Sequence, residues 1–232
     1  MKKNILSILL ILSSLSISGQ IEKGNFIFSL NGNYLKTYSS DGVTTNNMTI
    51  HGKYLNLGTS VGYFFGDHLD GGIGFDYFWA KESKNSYTAI SYYRQEEVLH
   101  VKSKLFLPNI FLGYYQKIYN HLYVSTQLKL NYGKSNSEYS TYYVCIETVP
   151  DTATIIGPSY GFRQEESEGK SDSKYFMIQF IPSLSYFINS KMGLYIEIGG
   201  INYNLIDWET DNSSFSFNFN PNHWRFGISL RL

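Results

Sequence analysis

One cysteine, Cys145, stands in 232 residues, so no intramolecular disulfide can form. Proline is scarce too, at five residues. Beyond the N-terminus no run of ~18 apolar residues occurs, which excludes a transmembrane helix. Lys and Arg total 19, and so do Asp and Glu. A zero net charge argues against nucleic acid as a partner and against a polybasic membrane patch. The histidines His51, His68, His100, His121 and His223 lack metal-ligand spacing, and no Ser-His-acid or Cys-His set stands out around them. Neither a metal nor a cofactor is expected.

What the chain has in excess is aromatic: 17%, with 21 Tyr and 16 Phe. Membrane β-barrels carry aromatic girdles at both water interfaces. A mean hydropathy of −0.22 suits such a barrel, which keeps polar side chains inside and watery loops outside. The first residues read as a secretory signal. Lys2 and Lys3 precede an apolar stretch from Ile5 to Leu15, and Ser16-Ile17-Ser18-Gly19 offers cleavage before Gln20. Removing those two lysines leaves 17 basic against 19 acidic residues, a charge of about −2. No cysteine follows the cleavage site, so a lipoprotein is not expected. Residues 1–19 are thus a signal peptide and 20–232 one barrel, with nothing left for a second domain.

The end of the chain organises the reading. Trp224, Phe226, Ile228, Leu230 and Leu232 share one face of an extended strand, and Arg225, Gly227, Ser229 and Arg231 share the other. A soluble sandwich rarely ends on so aromatic an unprotected edge, whereas a closed barrel pairs its last strand back onto its first. The same alternation recurs at Asn25–Leu35, Tyr54–Phe65, Leu69–Trp79, Leu99–Tyr115, Leu122–Gly133, Tyr175–Phe187, Leu194–Leu205 and Phe215 to the end. That makes eight antiparallel strands, up and down. Phase switches near Gly199-Gly200, which predicts a bulge. Pro108 and Pro182 fall inside strands that should have no edge, so a bulge, a bend or a place near the rim is expected at both.

Loop lengths alternate. The stretches Tyr38–Thr49, Ala80–Glu97, Lys134–Lys174 and the one around Trp208–Ser213 are long. The turns at Gly66–His68, Gln116–His121 and Ile188–Gly193 are short. Short periplasmic turns and long extracellular loops produce this asymmetry, and an even strand count places both mature termini in the periplasm. Cys145 is expected on or under the third long loop as an inert thiol.

Carried by the signal segment, the alternation, the hairpin Phe65-Gly66-Asp67-His68-Leu69-Asp70-Gly71-Gly72 and the stretch Trp224–Leu232, the chain resembles the small eight-stranded outer-membrane β-barrel proteins of the OmpA and OmpX types. It departs from many of them in ending on Leu232 rather than an aromatic. The resemblance implies recognition by the barrel assembly machinery, and transfers no catalytic residue.

Inward-facing charges form the candidate site: Asp76, Lys129, Glu197, Arg225 and Arg231. Buried charges are costly unless paired. Asp76, Lys129 and Arg225 lie at similar heights and are expected to meet, as a salt-bridge plug rather than an ion gate, because eight strands leave room only for packed side chains. Along the terminal strand, Phe226→Arg is expected to harm assembly far more than Gly227→Ala, which only crowds the interior. Tyrosines of the outer loops (Tyr87, Tyr92, Tyr93, Tyr139, Tyr142, Tyr143) offer a surface for a ligand or another cell. The expected function is a non-enzymatic, monomeric outer-membrane barrel with a structural or surface-interaction role, in contact with outer-membrane lipids. A lipid hydrolase or acyltransferase sited at the rim, and a narrow pore, are the alternatives.

Overall fold

A computed structural model describes residues 23–43, 46–90, 93–148, 160–206 and 212–232. The expected signal peptide lies outside the described residues. Ten strand segments, all paired antiparallel, make up the sheet: β1 (Phe26–Val43), β2 (Asn46–Phe64), β3 (Leu69–Ile90), β4 (Tyr93–Tyr119), β5 (Leu122–Thr148), β6 (Tyr160–Phe187), β7 (Met192–Glu197), β8 (Gly200–Ile206), β9 (Asn212–Asn218) and β10 (Arg225–Arg231). Neighbours in sequence pair from β1 through β6, β7 joins β6 to β10, and β10 pairs with β1, so the sheet closes. Segments β7 and β8 share one position in the ring, both against β6, and β9 and β10 share the next. The result is an eight-stranded up-and-down barrel whose last two staves are each broken once.

The first break is the bulge expected at Gly199-Gly200. Pairing runs Phe180↔Ile201 on one side and Ser183↔Glu197 on the other, so Ile181 and Pro182 face Ile198, Gly199 and Gly200. Gly199 adopts φ +90°, and a Cβ there would sit 1.9 Å from the Asn218 carbonyl oxygen. The extra residue moves the outward face from even to odd numbers: Leu194 and Tyr203 are both exposed, while Glu197 is buried. Pro182 lies at this bulge, its carbonyl accepting from the Ile198 N–H at 3.1 Å. Pro108 is accommodated differently. The β4–β5 ladder stops at Phe106↔Lys134 and resumes at Asn109↔Asn131 in unchanged register. The proline lacks a donor, and the ladder opens around it.

The second break corrects the sequence reading of strand eight as continuous from Phe215. Residues 219–224 leave the ladder and wind through a 3-10 helix, Pro221–His223. Asn220 caps it by accepting from the Asn222 N–H at 3.0 Å, and Pro221 has no N–H to lose. Trp224 is therefore not a strand residue. It ends the helix half-buried, its indole N–H donating to the Phe219 carbonyl at 3.3 Å. Pairing with β1 is confined to the last part of the chain, from Gly32↔Phe226 to Ile27↔Arg231. Leu232 completes it through reciprocal bonds with Phe26, 2.9 and 3.1 Å.

Three of the four expected long loops are also corrected. The first, second and third are mostly ladder: β5 and β6 stay paired from Leu122↔Tyr186 to Thr148↔Tyr160. Only ~9–11 residues of a strand are needed to cross a bilayer, so these hairpins continue well past the barrel wall as arms, joined edge to edge into one sheet of β1 to β6 by pairing that reaches Asn46↔Thr88 and Tyr93↔Glu147. Their polar sequence hides this, because an arm wet on both faces has no apolar side to alternate. Stretches such as Tyr139-Ser140-Thr141-Tyr142-Tyr143-Val144 nevertheless have high strand propensity. Cys145 accordingly sits in β5 rather than on a loop, buried between Gln95 and Arg163 of the flanking strands.

Around the barrel the outward side chains form an apolar belt. Phe28, Leu30, Val61, Ile73, Ile110, Leu128, Phe180, Leu194, Phe226 and Ile228 are all more than a third exposed. An apolar surface of that extent is far beyond what a monomer keeps in water.

Candidate functional site

The barrel interior is filled in layers. At the end carrying the short turns, Ile27, Phe64, Tyr123 and Phe187 pack with Tyr115 into an apolar plug. Above it a polar layer, including Ser29, Ser60, Ser125, Ser183, Ser185 and Ser229, encloses only about 40 Å³.

The charged cluster comes next. Arg225 Nη1 donates to Asp76 Oδ1 at 2.9 Å, and Nη2 lies 2.5 Å from Glu197 Oε2. Lys129 Nζ approaches Asp76 Oδ2 at 3.5 Å. Two amides add to these contacts: Asn31 Nδ2 donates to Glu197 Oε1 at 2.8 Å and Asn109 Nδ2 to Asp76 Oδ2 at 2.9 Å. Two carboxylates and two cations leave the cluster neutral, the arrangement a low-dielectric interior demands. Space for it comes from Gly58, where a Cβ would lie 2.4 Å from Asn31 Oδ1 and 2.5 Å from Asp76 Oδ1. Four of the five inward charges therefore meet. Arg231 does not join them: its guanidinium sits 4.4 Å over the Phe187 ring, in the apolar plug. It is six residues nearer the turn end of strand eight than Arg225, about 20 Å at the usual rise per residue. Asn31 and Asn109 escaped the sequence reading because a neutral amide inside a barrel is unremarkable until the register shows what it faces.

Above the cluster the lumen widens to a cavity of about 540 Å³, lined by Asn33, Asn56, Asn202, Asn218, Asn220 and Asn222 among others. Asn33 Nδ2 donates across to the Asn222 carbonyl at 3.4 Å, where β1 is no longer paired to strand eight.

On the outer wall, just past the apolar belt, the structure overturns the expectation that the chain has no polybasic patch. Lys36 stands opposite Lys53, Lys53 opposite Lys81, and Lys81 opposite Lys102. All four are exposed. Net charge could not show this, since the lysines are far apart in sequence and only strand register lines them up. The row continues through Glu138 to Lys170, whose ammonium lies 3.2 Å from the Glu138 carboxylate. That hydrogen bond, with the charge of Lys170 and its neighbours Lys102 and Lys104, holds the Glu138 carboxyl below its usual range.

No family model matches the chain, and no curated protein does. Among solved structures it is similar to Ail, the attachment invasion locus protein of Yersinia pestis, at 10% identity over 90% of this chain and 99% of that one, with a TM-score of 0.36. It is also similar to the outer membrane protein OprG of Pseudomonas aeruginosa, at 13% identity over 94% and 99%, TM-score 0.35. The N-terminal β-barrel domain of OprF from the same organism matches at 8% identity over 91% and 98%, TM-score 0.27. With likenesses this loose, the eight-stranded assignment rests on the chain's own strand pairing.

Proposed function

We propose that this is a non-enzymatic outer-membrane barrel that works as a surface scaffold, anchoring long β-arms outside the cell. One observation carries the reading: the lumen is occupied by an apolar plug and a neutral ion cluster, while the hairpins at one end run on as paired arms. A filled barrel anchors rather than conducts, and an arm rich in exposed tyrosine, such as Tyr139 and Tyr142, suits contact with another surface. The apolar belt supports placement in a bilayer. The short turns and both described chain ends lie at the opposite end from the arms, which supports periplasmic termini.

The test replaces residues 136–172 with a short turn and follows intact cells. Heat-modifiable folding is expected to survive and binding of cells to a surface or partner cell to fall. Discrete single-channel openings of the intact protein, or altered lipid acylation in a deletion strain, would replace the reading with the pore or the lipid enzyme.

A further inference from the structure

The lysine row has an energetic problem as it stands. Like charges directly opposite on neighbouring strands destabilise a sheet, because their Cβ atoms are only about 4.5–5.5 Å apart. Here three such pairs run consecutively, Lys36↔Lys53↔Lys81↔Lys102. Among the described residues no carboxylate stands beside the first three on the outward face. Along the strands their neighbours on the same face are Tyr34 and Tyr38, His51 and Leu55, and Trp79 and Ser83. On the β5–β6 side the same level is self-neutralised, Glu138 pairing with Lys170 and Asp172 accepting from Asn136 at 3.0 Å. The consecutive run of like charges is thus on β1 to β4, half of the wall, and ends where Lys102 meets Glu138; a separate like-charge pair, Lys134 opposite Lys174, lies on β5 and β6.

Its height identifies what compensates it. Two residues nearer the turns on β1, β2 and β3 stand Tyr34, Leu55 and Trp79, outward-facing apolar or aromatic side chains at the edge of the belt. A side chain one step beyond the belt lies at the level of lipid headgroups, with its aliphatic stem over the aromatics and its charge in the headgroup layer. Lys36 already leans this way, its ammonium 6.0 Å from the Tyr34 ring centroid. Further along the same wall Lys104, Lys134 and Lys174 are exposed too. At the turn end of the barrel no row of this kind exists among the described residues.

We infer that Lys36, Lys53, Lys81 and Lys102 form a docking site for the phosphate-bearing headgroup of an anionic lipid in the leaflet on the arm side. Ammonium groups bind phosphate oxygens as point charges, and a row of four matches a headgroup carrying more than one negative charge better than it matches a zwitterion. The outer-leaflet position rests on the orientation proposed above; the lipid contact itself does not.

The experiment uses the purified full barrel in vesicles of phosphatidylcholine alone, and of phosphatidylcholine with phosphatidic acid as the phosphomonoester probe. Unfolding rates are read from loss of heat-modifiable mobility. Phosphatidic acid is expected to slow unfolding of the wild type, and Lys53→Gln with Lys81→Gln to remove most of the gain, roughly fivefold for each lysine. In phosphatidylcholine alone the same double variant should unfold no faster than wild type, because it relieves repulsion. Equal rates in both vesicles for the wild type, or a gain that the double variant keeps, would overturn the site. The same gain from inorganic phosphate added to phosphatidylcholine vesicles would overturn the lipid as its source. Failure to insert into phosphatidylcholine at all would instead count against the membrane-barrel reading, and so is distinguishable.

Discussion

Arg225 and Asp76 are 149 residues apart in sequence and joined at 2.9 Å inside the barrel, where the same guanidinium also holds Glu197. Removing the cation should therefore expose how much of the fold depends on it. Arg225→Ala leaves Lys129 near Asp76 but takes the one cation from Glu197 in this cluster. A buried charge stripped of its partner costs about 3–5 kcal/mol. Arg225→Lys, which keeps charge but not the two-pronged geometry, should fall between. Urea midpoints for the folded barrel in vesicles check this, and an unchanged midpoint for Arg225→Ala would remove the cluster from the account.

The terminal strand offers a test of faces. Phe226 points outward at 65% exposure, so Phe226→Arg should cost about 2–4 kcal/mol if the site lies near the midplane, against little for Phe226→Leu. Gly227→Ala is not the mild control that alternation alone implied. A Cβ at 227 would lie 2.4 Å from Tyr195 Cζ and 2.7 Å from the Leu30 carbonyl oxygen. The backbone oxygen belongs to the β1–β10 closure, so this variant should also lose folding yield. Gel mobility before and after heating measures all three.

At the bulge, Gly199→Ala meets both a φ of +90° and an Asn218 carbonyl 1.9 Å from the new methyl. A loss of about 1–3 kcal/mol is expected from the backbone strain alone. Gly66→Ala is the matched control: its nearest contact would be Leu69 Cβ at 3.7 Å, which is ordinary packing. If the two glycines tolerate alanine equally in urea titrations, the bulge is not needed.

Orientation is checked from outside. Cysteine-reactive or epitope tags near Asn46, Lys84 or Ser167, all on the arms, should react on intact cells. Tags at Asp67, Asn120 or Ser190, in the short turns, should react only after the envelope is opened. Labelling at Asp67 in sealed cells would reverse the barrel.

What could be read from the chain beforehand was whatever is local. Alternation at Leu122–Gly133, the phase switch at Gly199-Gly200 and the trouble at two prolines are properties of neighbouring residues, and each appears in the structure near its expected place. The arms were missed because their signal is local but ambiguous: a strand wet on both faces reads like a loop. The Asn220-Pro221-Asn222 helix was missed because strong alternation on both sides of it read as one strand.

Pairing decided the rest. Strand register is a long-range choice, set by which residues on distant segments share a hydrogen-bonding row. Only that choice sends Arg225 to Asp76 and Arg231 to Phe187, and only that choice puts four lysines, dispersed along a chain of zero net charge, side by side. The sequence by itself determined which side chains face in and which face out, because a β-strand has a period of two whatever it pairs with. The tertiary structure alone decided which of them meet, because closing the barrel selects one register among those that keep the apolar face outward.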